Sequence, residues 1–362
     1  MGHYFFTSEA VCEGHPDKIC DKISDYILDE ALRQDKNSKM AVEATIKGNT
    51  VVIYGEVKTK AKLDYVNLVR FVLKDIGYDG EFEVIVLVSE QSEEIYQAVS
   101  QEKIMAGDQG IMFGYACSDT EELMPLPIVL ANELCFYLTK LRKTGNAGFL
   151  NPDGKSQVTV EYENGVPKRV DTIIMAVCHQ DLIAQEELKK FVTKNVIEKV
   201  IPEKYLDSDT KILVNTSGSF VVGGPISDSG TTGRKIVCDT YGGMARIGGG
   251  ALSSKDPSKV DRSAAYYARY VAKNIVFHDL ASVCEIQVSY AIGIGNPISL
   301  YIDTKGTNKV GMKEIYQYVE KEFDFSVQNI IDELNLLRPI YYDLACYGQM
   351  GRKDLELTWE KN

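Results

Sequence analysis

The stretch from Gly223 to Arg262 combines many glycines with an excess of cationic side chains. From Arg234 to Arg262, six Lys or Arg stand against three Asp: Arg234, Lys235, Arg246, Lys255, Lys259 and Arg262 against Asp239, Asp256 and Asp261. Glycine lets backbone N–H groups approach an anion closely, and Lys or Arg add charge-assisted hydrogen bonds. The composition favours a polyphosphate site, although a solvated basic loop would have the same composition.

The glycines of this stretch do not follow the common nucleotide-binding patterns. A P-loop needs a glycine directly before its lysine, and here Ser254 precedes Lys255. The chain also has no Gly-x-Gly-x-x-Gly turn between a strand and a helix, and no protein-kinase signature. The anion-binding character therefore remains without a common nucleotide-binding fold.

Length and composition limit the class of protein. The 362 residues suffice for two or three domains, and 44% hydrophobic with 25% charged residues is ordinary for a globular protein. We find no leader pattern and no long apolar run, so we expect neither a signal peptide nor a membrane span, and a cytoplasmic location. A net charge of -12 argues against a nucleic-acid partner, whereas a small anionic ligand needs only a local basic pocket.

Metal and disulfide chemistry based on Cys or His is disfavoured. The eight cysteines are scattered singly, which predicts reduced and mostly buried thiols. They are Cys12, Cys20, Cys117, Cys135, Cys178, Cys238, Cys284 and Cys346. Only four histidines are present, so a metal site built from His is not expected.

A helix is predicted to begin at Pro16. Apolar residues recur every four positions, at Ile19, Ile23, Ile27 and Ala31. Proline suits the first helical position, and an acid such as Asp17 suits the first turn. His15 then lies just before a helix N-terminus, where N–H groups attract anions, but a capping or packing role would explain a lone histidine equally well.

Two strand-like runs, 40–46 and 51–57, predict a β-hairpin. Pairing Ile46 with Val51 would put Glu43 opposite Tyr54, with Glu56 diagonal to Glu43 on the same face. Two carboxylates on one face repel unless cations join them. The residues alone favour a solvated outer face over a site for an ion or an ammonium group.

Hairpins and helices alternate along the whole chain. This pattern predicts an α+β protein of three related units, over 1–99, 100–222 and 223–362, with the possibility that the spatial domains exchange segments. Helices are expected over 63–76, 123–141, 185–199, 262–277, 312–322 and 327–335, and strands over 83–89, 111–116, 157–162, 169–179, 211–215, 284–292 and 298–303. The segment 91–107 has no clean period and is interpreted as a possible lid.

Five motifs resemble those of the S-adenosylmethionine synthetase family, in the family's order and along the whole chain. They are FTSEAVCEGHPDKICDKISD (6–25), GDQGIMFGYA (107–116), PDGKSQVTVEY (152–162), TGRKIVCDTYGGMARIGGGALSSKDPSKVDRSAAY (232–266) and CEIQVSYAIG (284–293). The resemblance implies three similar α+β domains with a pseudo-threefold arrangement. It also implies that ATP, L-methionine and water give S-adenosylmethionine, phosphate and diphosphate.

The resemblance assigns roles to matched positions around the nucleotide. His15 resembles the histidine that stabilises the leaving triphosphate, Phe220 the aromatic that stacks on adenine, and Asp17 and Asp261 the carboxylates for Mg²⁺, of which two ions per site are expected. The residues implied in catalysis are His15, Lys155, Arg234, Lys235 and Lys255. Those implied in ATP binding are His15, Asp153, Lys155, Ser219, Phe220, Arg234, Lys235, Ala251 and Lys255.

The same resemblance implies a methionine site and a K⁺ site. Around methionine it implies Glu56, Gln91, Asp108, Asp228 and Lys259. Glu43 resembles the carboxylate of the K⁺ site, which raises the ion-site interpretation of the hairpin carboxylates above the solvated face. The segment from 91 to about 107 corresponds to the family's gating loop.

A homodimer or homotetramer with active sites between subunits is implied as well. On this view His15, Lys155 and Phe220 come from one chain, and Arg234, Lys235 and Lys255 come from its partner.

The chain departs from the family pattern beside the cationic residues. The family commonly has His at Ile247, Phe at Leu252, Gly at Ser254 and Arg at Ser219. It also has Asn-Pro-Thr-Gly-Arg-Phe at 215–220 and Tyr-Gly-His-Phe-Gly-Arg at 347–352. These differences could alter nucleotide affinity or rate while leaving the chemistry intact.

Two other functions stay open on the residues alone. One is a non-catalytic paralogue that binds nucleotide and regulates a partner, and loss of His15, Asp17, Lys155 or Lys255 would have favoured it. The other is a phosphotransferase, which would release ADP.

Overall fold

The computed structural model describes residues 2–90 and 104–361. Over this part of the chain three β-sheets each carry helices against one face. The strands are β1 His3–Val11, β2 Lys39–Lys47, β3 Thr50–Lys58, β4 Glu83–Glu90, β5 Gly110–Cys117, β6 Leu150–Glu163, β7 Val166–His179, β8 Lys211–Val214, β9 Gly230–Thr231, β10 Val283–Tyr290 and β11 Ser299–Asp303.

The predicted helices are present to within a few residues, and the short helices at 224–227, 236–239 and 341–344 were not predicted. They are α1 Pro16–Gln34, α2 Tyr65–Ile76, α3 Leu126–Lys143, α4 Gln185–Val192, α5 Gly224–Ser227, α6 Ile236–Asp239, α7 Val260–Phe277, α8 Met312–Glu322, α9 Val327–Glu333 and α10 Tyr341–Leu344. Helix α4 continues through a π-helical turn, Thr193–Ile197, to Val200. Helix α3 starts later than predicted because Pro125 caps it instead of lying within its first turn.

The sheets repeat one plan. The N-sheet has the order β4-β3-β2-β9 and the M-sheet the order β1-β6-β7-β8. In both, an antiparallel hairpin is followed by a helix and a strand parallel to the second hairpin strand. The C-sheet, β11-β10-β5, has the hairpin and the following helix α8. This confirms an α+β fold of similar units.

Each sheet also receives a strand from a distant part of the chain. Strand β9 joins the N-sheet, β1 joins the M-sheet, and β5 joins the C-sheet. Strand β1 was not predicted, because it lacks the turn signals that mark a hairpin and finds its partner 150 residues away in β6. The domain boundaries 1–99, 100–222 and 223–362 therefore stay a prediction about how the sequence divides. They do not delimit the sheets, because each sheet includes a strand from another of these ranges.

Helices cover one face of each sheet, and the described helices leave the other face open. In β2 the even-numbered residues from Met40 to Ile46 are buried, while Ala41, Glu43 and Thr45 on the opposite face are half-buried. One apolar cluster joins the N-sheet and C-sheet units, and a second lies under the M-sheet. The three open faces carry several of the predicted site residues.

The cysteines behave as predicted, since all eight are buried and free. The described residues contain no helix that is both long and apolar enough to cross a membrane.

Candidate active site

Helix α1 begins at a histidine cap. Pro16 occupies its first turn, and His15 Nδ1 accepts a hydrogen bond from the Asp17 amide at 3.2 Å. Because Nδ1 is an acceptor here, the neutral ring carries its proton on Nε2. His15 is only 3% exposed, so the side chain that caps the helix is buried.

The surroundings of His15 keep it neutral. Burial, and then the positive charges of Lys235 and Lys155, lower the pKa of the imidazole to about 4. The charges of Asp17 and Asp228 act in the opposite direction but do not outweigh these effects. At neutral pH, His15 can therefore donate a hydrogen bond from Nε2 but does not add a positive charge to the cluster.

Strand β9 brings the cations Arg234 and Lys235 to the start of α1. It passes so close that a Cβ on Gly230 would lie 2.1 Å from the Pro16 carbonyl oxygen, so only glycine fits there. The Thr231 amide donates to Asp17 Oδ1 at 3.0 Å, Lys235 Nζ donates to Asp17 Oδ2, and Arg234 Nε lies 3.5 Å from Asp17 Oδ1.

This arrangement corrects one expectation. We expected Arg234 and Lys235 to face His15 from the partner chain, but within one chain Lys235 binds Asp17 and its charge reaches His15. The expectation was wrong because the β9 pairing, which folds residues 230–235 back onto α1, involves only two residue pairs and has no periodic signal in the sequence.

Asp17 is held in its ionised form by these contacts. Burial alone would raise its pKa, but the hydrogen bonds from Lys235 and the Thr231 amide outweigh burial and lower it. A carboxylate that is already paired with cations and a peptide N–H suits a site where anions and metal ions meet.

Asp153 and Lys155 approach His15 from the M-sheet. Lys155 pairs across the sheet with Val11 in β1, close enough for its charge to act on His15 and Asp153. Asp153 is buried, which raises its pKa; its Oδ2 accepts from the Gly224 amide at 2.7 Å, and its Oδ1 has no hydrogen-bond partner among the described residues. This carboxylate oxygen has no partner in the described part of the chain and can accept a hydrogen bond from a ligand hydroxyl or amine or from water.

Phe220, Ser219 and Asp228 flank this group. Phe220 is tied to His179 by two hydrogen bonds: the His179 amide donates to the Phe220 carbonyl at 2.9 Å, and the Phe220 amide to His179 Nε2 at 3.3 Å. Ser219 and Asp228 are exposed, and Asp228 follows α5 with its Oδ1 accepting from the Ser229 amide. The charge of Asp228 acts on both His15 and Asp153, so it lies near them.

A second group surrounds the start of α7. Lys255 Nζ pairs with Asp261 Oδ2. A Cβ on Gly250 would lie 2.2 Å from Asp261 Cγ, so glycine makes room for this carboxylate. A Cβ on Gly233 would lie only 2.5 Å from the Cβ of Ala251, so Gly233 and Ala251 pack closely together. The second group is thus in contact with the segment that carries Arg234 and Lys235.

Lys259 is bound more tightly than the sequence suggested. It is buried, and its Nζ donates to Asp256 Oδ2 at 2.9 Å. Asp256 also accepts from the Met40 amide and from Ser258, and Lys39 lies 3.8 Å away. Burial opposes the ionisation of Asp256, but these cations and hydrogen bonds lower its pKa strongly. We missed Asp256, whose only signal is its place three residues before Lys259.

The predicted hairpin register is confirmed. Glu43 lies opposite Tyr54, and Ala41 lies opposite Glu56 on the open face of the N-sheet. Ala41 also forms a bridge with Lys255 on its other side. The face therefore brings together Glu43, Glu56 and Lys255. Burial, followed by the charge of Glu43, raises the pKa of Tyr54.

Of the remaining methionine candidates, Asp108 is exposed, and its Oδ1 accepts from the Gln109 amide at 2.7 Å. The neighbouring Gly107 amide donates to the Ser258 carbonyl at 2.9 Å, next to Lys259. Gln91 and most of the predicted lid, 91–103, lie outside the described residues.

The departure at Ser254 has a structural cost. Ser254 adopts φ +82°, a left-handed conformation that favours glycine, and its buried Oγ has no hydrogen-bond partner in the described structure. Leu252 is buried and Ile247 is half-exposed, and both line a small cavity with Asp261 and Tyr241.

Asp17 and Asp261 suit a metal ion that takes only some of its ligands from the protein. No group of three or more His, Cys, Asp or Glu in residues 2–90 and 104–361 could hold an ion by itself. Asp17 and Asp261 are single carboxylates beside cations, and the Gly250 cradle leaves room at Asp261. Mg²⁺ is commonly bound by one or two carboxylates together with substrate phosphates, so the donor set is compatible with Mg²⁺.

Fold and site together define a class: a three-domain α+β protein with a cluster of cations and carboxylates suited to a phosphorylated ligand. Comparison with known proteins is consistent with this class. Family models match in chain order: the S-adenosylmethionine synthetase N-terminal domain at residues 3–102, the central domain at 103–220 and the C-terminal domain at 222–361. The chain belongs to the S-adenosylmethionine synthetase family.

Two curated relatives cover the whole chain. One, the S-adenosylmethionine synthase of Petrotoga mobilis, is 50% identical over 388 aligned positions that cover 100% of this chain and 97% of the relative. The S-adenosylmethionine synthase of Finegoldia magna is 45% identical, again over 100% of this chain and 97% of its own length.

Proposed function

We propose that this chain is a methionine adenosyltransferase that converts ATP, L-methionine and water into S-adenosylmethionine, phosphate and diphosphate. The observation that carries the proposal is the convergence of a neutral His15, the ionised Asp17 and the cations Arg234, Lys235 and Lys155 at the start of α1. The family membership supports the same activity.

The chemistry needs positioning and charge stabilisation more than proton transfer. The methionine sulfur has a lone pair and no proton to lose, so it can attack C5′ of ATP directly. The new S–C5′ bond forms as the C5′–O5′ bond breaks, and the electron pair leaves with the triphosphate. His15 Nε2–H would donate to the leaving oxygen, and the cations would stabilise the growing negative charge. Water then cleaves the bound triphosphate.

We propose Asp17 and Asp261 as the residues that hold Mg²⁺, and Glu43 as the K⁺ ligand. When bound, Mg²⁺ supplies charge neutralisation and orientation of the phosphates. We assign the ATP contacts to Asp153, Ser219, Phe220, Ala251 and Lys255 in addition to the cluster at α1. The methionine contacts are assigned to Glu56, Gln91, Asp108, Asp228 and Lys259.

The proposed assembly is a homodimer or a pair of homodimers. The open sheet faces support it, because they carry Lys155, Glu43, Glu56 and Lys255 together with exposed apolar side chains such as Leu87. A cytoplasmic location is supported by the eight free, buried thiols, which suit a reducing compartment.

One assay tests the activity. The protein is incubated with ATP, L-methionine, Mg²⁺ and K⁺, and the products are identified by mass spectrometry. We expect S-adenosylmethionine with phosphate and diphosphate in equal amounts, and no ADP. Release of ADP would indicate a phosphotransferase, and nucleotide binding without any product would indicate a non-catalytic paralogue.

A further inference from the structure

Helix α1 carries four aspartates on one face, and all four are buried. They are Asp17, Asp21, Asp25 and Asp29. Asp17 and Asp21 both bind residues 231–235, and Asp21 also binds Lys18. Asp25 binds residues 254–262, and Asp29 binds residues 341–342. The third of them, Asp25, reaches the segments on both sides of the Lys255–Asp261 pair.

Asp25 forms a fork-to-fork ion pair with Arg262. Arg262 Nη1 donates to Asp25 Oδ1 at 2.8 Å, and Nη2 donates to Oδ2 at 2.6 Å. Both side chains are 0% exposed, so neither can contact a ligand directly. Such a bidentate pair fixes the relative orientation of the two side chains as well as the distance between them.

The pair also holds the backbone around Lys255. The Ser254 amide donates to Asp25 Oδ1 at 3.0 Å, and Arg262 Nη1 donates to the Lys255 carbonyl at 3.1 Å. Arg262 follows Asp261 directly in α7. One ion pair therefore joins α1, the peptide units at Lys255 and the first turn that carries Asp261.

We propose that Asp25 and Arg262 are positioning residues that fix the backbone at Lys255 and the first turn of α7, and thereby the Lys255–Asp261 pair. The inference rests on the proposed function, because it assumes that Lys255 and Asp261 bind the triphosphate and its metal ion. The remaining hydrogen-bond capacity of the guanidinium is used to fix its own position, since Nε donates to Tyr266 at 3.0 Å and the group lies 4.3 Å from the Tyr341 ring centre.

A purely stabilising role would explain these contacts less well. A buried ion pair contributes little more to stability than well-packed apolar side chains of similar volume. A displacement of about 1 Å in a catalytic group, however, can cost roughly 100-fold in rate. The contacts of Asp25 and Arg262 with the backbone at 254 and 255 would control such a displacement.

The first test is Arg262→Lys, which keeps the charge but loses the fork and its reach to the Lys255 carbonyl. We expect kcat to fall roughly 10- to 100-fold and the affinity for inorganic tripolyphosphate, measured by calorimetry, to fall as well. The matched control is Asp29→Asn, an equally buried change one turn further along α1 that touches residues 341–342 and not the site. It is expected to lower the unfolding temperature while keeping tripolyphosphate affinity.

A double variant, Asp25→Leu with Arg262→Met, separates positioning from stability. With apolar side chains at both positions, the unfolding temperature should be close to that of the wild type. The tripolyphosphate affinity and kcat should both remain below the wild-type values. Wild-type affinity and kcat in either Arg262 variant, or an equal loss of affinity in Asp29→Asn, would overturn the proposal. If the wild type forms no S-adenosylmethionine, the proposed function fails, while the tripolyphosphate comparison still decides whether the pair organises an anion site.

Discussion

At the residue scale, His15 differs from the cations around it because it is neutral. Its own helix uses Nδ1 as a cap, and burial beside Lys235 and Lys155 keeps the pKa near 4. A neutral donor can stabilise a leaving oxygen without adding a further buried charge, which burial would penalise. The surrounding Lys and Arg supply the charge, so donor and cation roles are divided between residues.

Lys255→Ala should reduce turnover far more than stability. The ammonium group pairs with Asp261 in the free protein and is available to the phosphates, so we expect a loss of roughly 10²–10³-fold in kcat. The free energy of unfolding should change by about 1–2 kcal/mol, as for a partly exposed pair. Steady-state kinetics and chemical unfolding measure the two effects.

Lys305→Ala is the matched control for that change. Lys305 pairs with Glu285 and Asp303 in the C-sheet, away from the cluster at α1. We expect little change in kcat from Lys305→Ala. Equal losses of turnover and stability in Lys255→Ala would contradict the ligand-binding role of Lys255.

Ser254→Gly should stabilise the fold. Glycine adopts this left-handed conformation without the cost of about 1 kcal/mol that a side chain adds, and the change also removes a buried hydroxyl that has no partner in the described structure. A higher unfolding temperature is expected. Ser253→Gly is the control: Ser253 is buried with normal φ and accepts from Gln349, so this change should destabilise. A lower unfolding temperature for Ser254→Gly would show that the strain is offset elsewhere.

At the scale of the elements, α1 has a second buried face that its apolar periodicity does not predict. Its apolar residues face the core, as the four-residue spacing of Ile19, Ile23 and Ile27 indicated. The aspartates have the same spacing on another face, and together they receive hydrogen bonds from three distant segments. The same spacing would also suit a solvated face, so only the folded chain shows that this face is buried.

Asp29 should make stability depend on pH. Burial raises the pKa of its carboxyl to about 7, although the Tyr342 and Tyr341 amides and Arg33 oppose the rise; Asp25 adds to it. The native state therefore keeps a proton that the unfolded state loses near pH 4. The resulting stability is complete below that pH and is lost as the pH rises through about 7.

Asp29→Asn removes this titration. Between pH 5.5 and 7.5, scanning calorimetry should show the unfolding temperature of the wild type falling more steeply than that of the variant. Parallel curves would show that Asp29 does not titrate in this range. Asp35→Asn, at the half-buried C-terminal cap of the same helix, should leave the slope of the wild type unchanged, because the pKa of Asp35 is lowered and lies outside the window.

At the scale of the whole molecule, the three open sheet faces point to association. Glu43, Glu56 and Lys255 share the open face of the N-sheet, and Lys155 lies on that of the M-sheet. Leu87, in β4 beside Tyr54, is 62% exposed on the same face as Glu43. Large apolar side chains on an open sheet typically become buried in a partner interface.

Leu87→Asp should weaken the assembly and the activity together, because a charge would be buried in the interface. Light scattering during size exclusion measures the mass, and the product assay measures the activity. Leu182→Asp is the control, since Leu182 is 84% exposed in a turn outside the sheets and should tolerate the change. An unchanged mass for Leu87→Asp would exclude the open face of the N-sheet from the interface.

The sequence by itself determined most of the local elements and the class of fold, and it predicted a set of candidate site residues. The register of the β2–β3 hairpin and the start of α1 followed from short-range periodicity and turn residues, which act over a few positions. The tertiary structure alone decided how distant segments meet. The contact of Gly230 with Pro16, the pairing of β1 with β6 and the bond between Asp25 and Arg262 join residues that have no local signal for one another. Such contacts form because buried charges and backbone groups must find partners, and that requirement is met only when the whole chain packs.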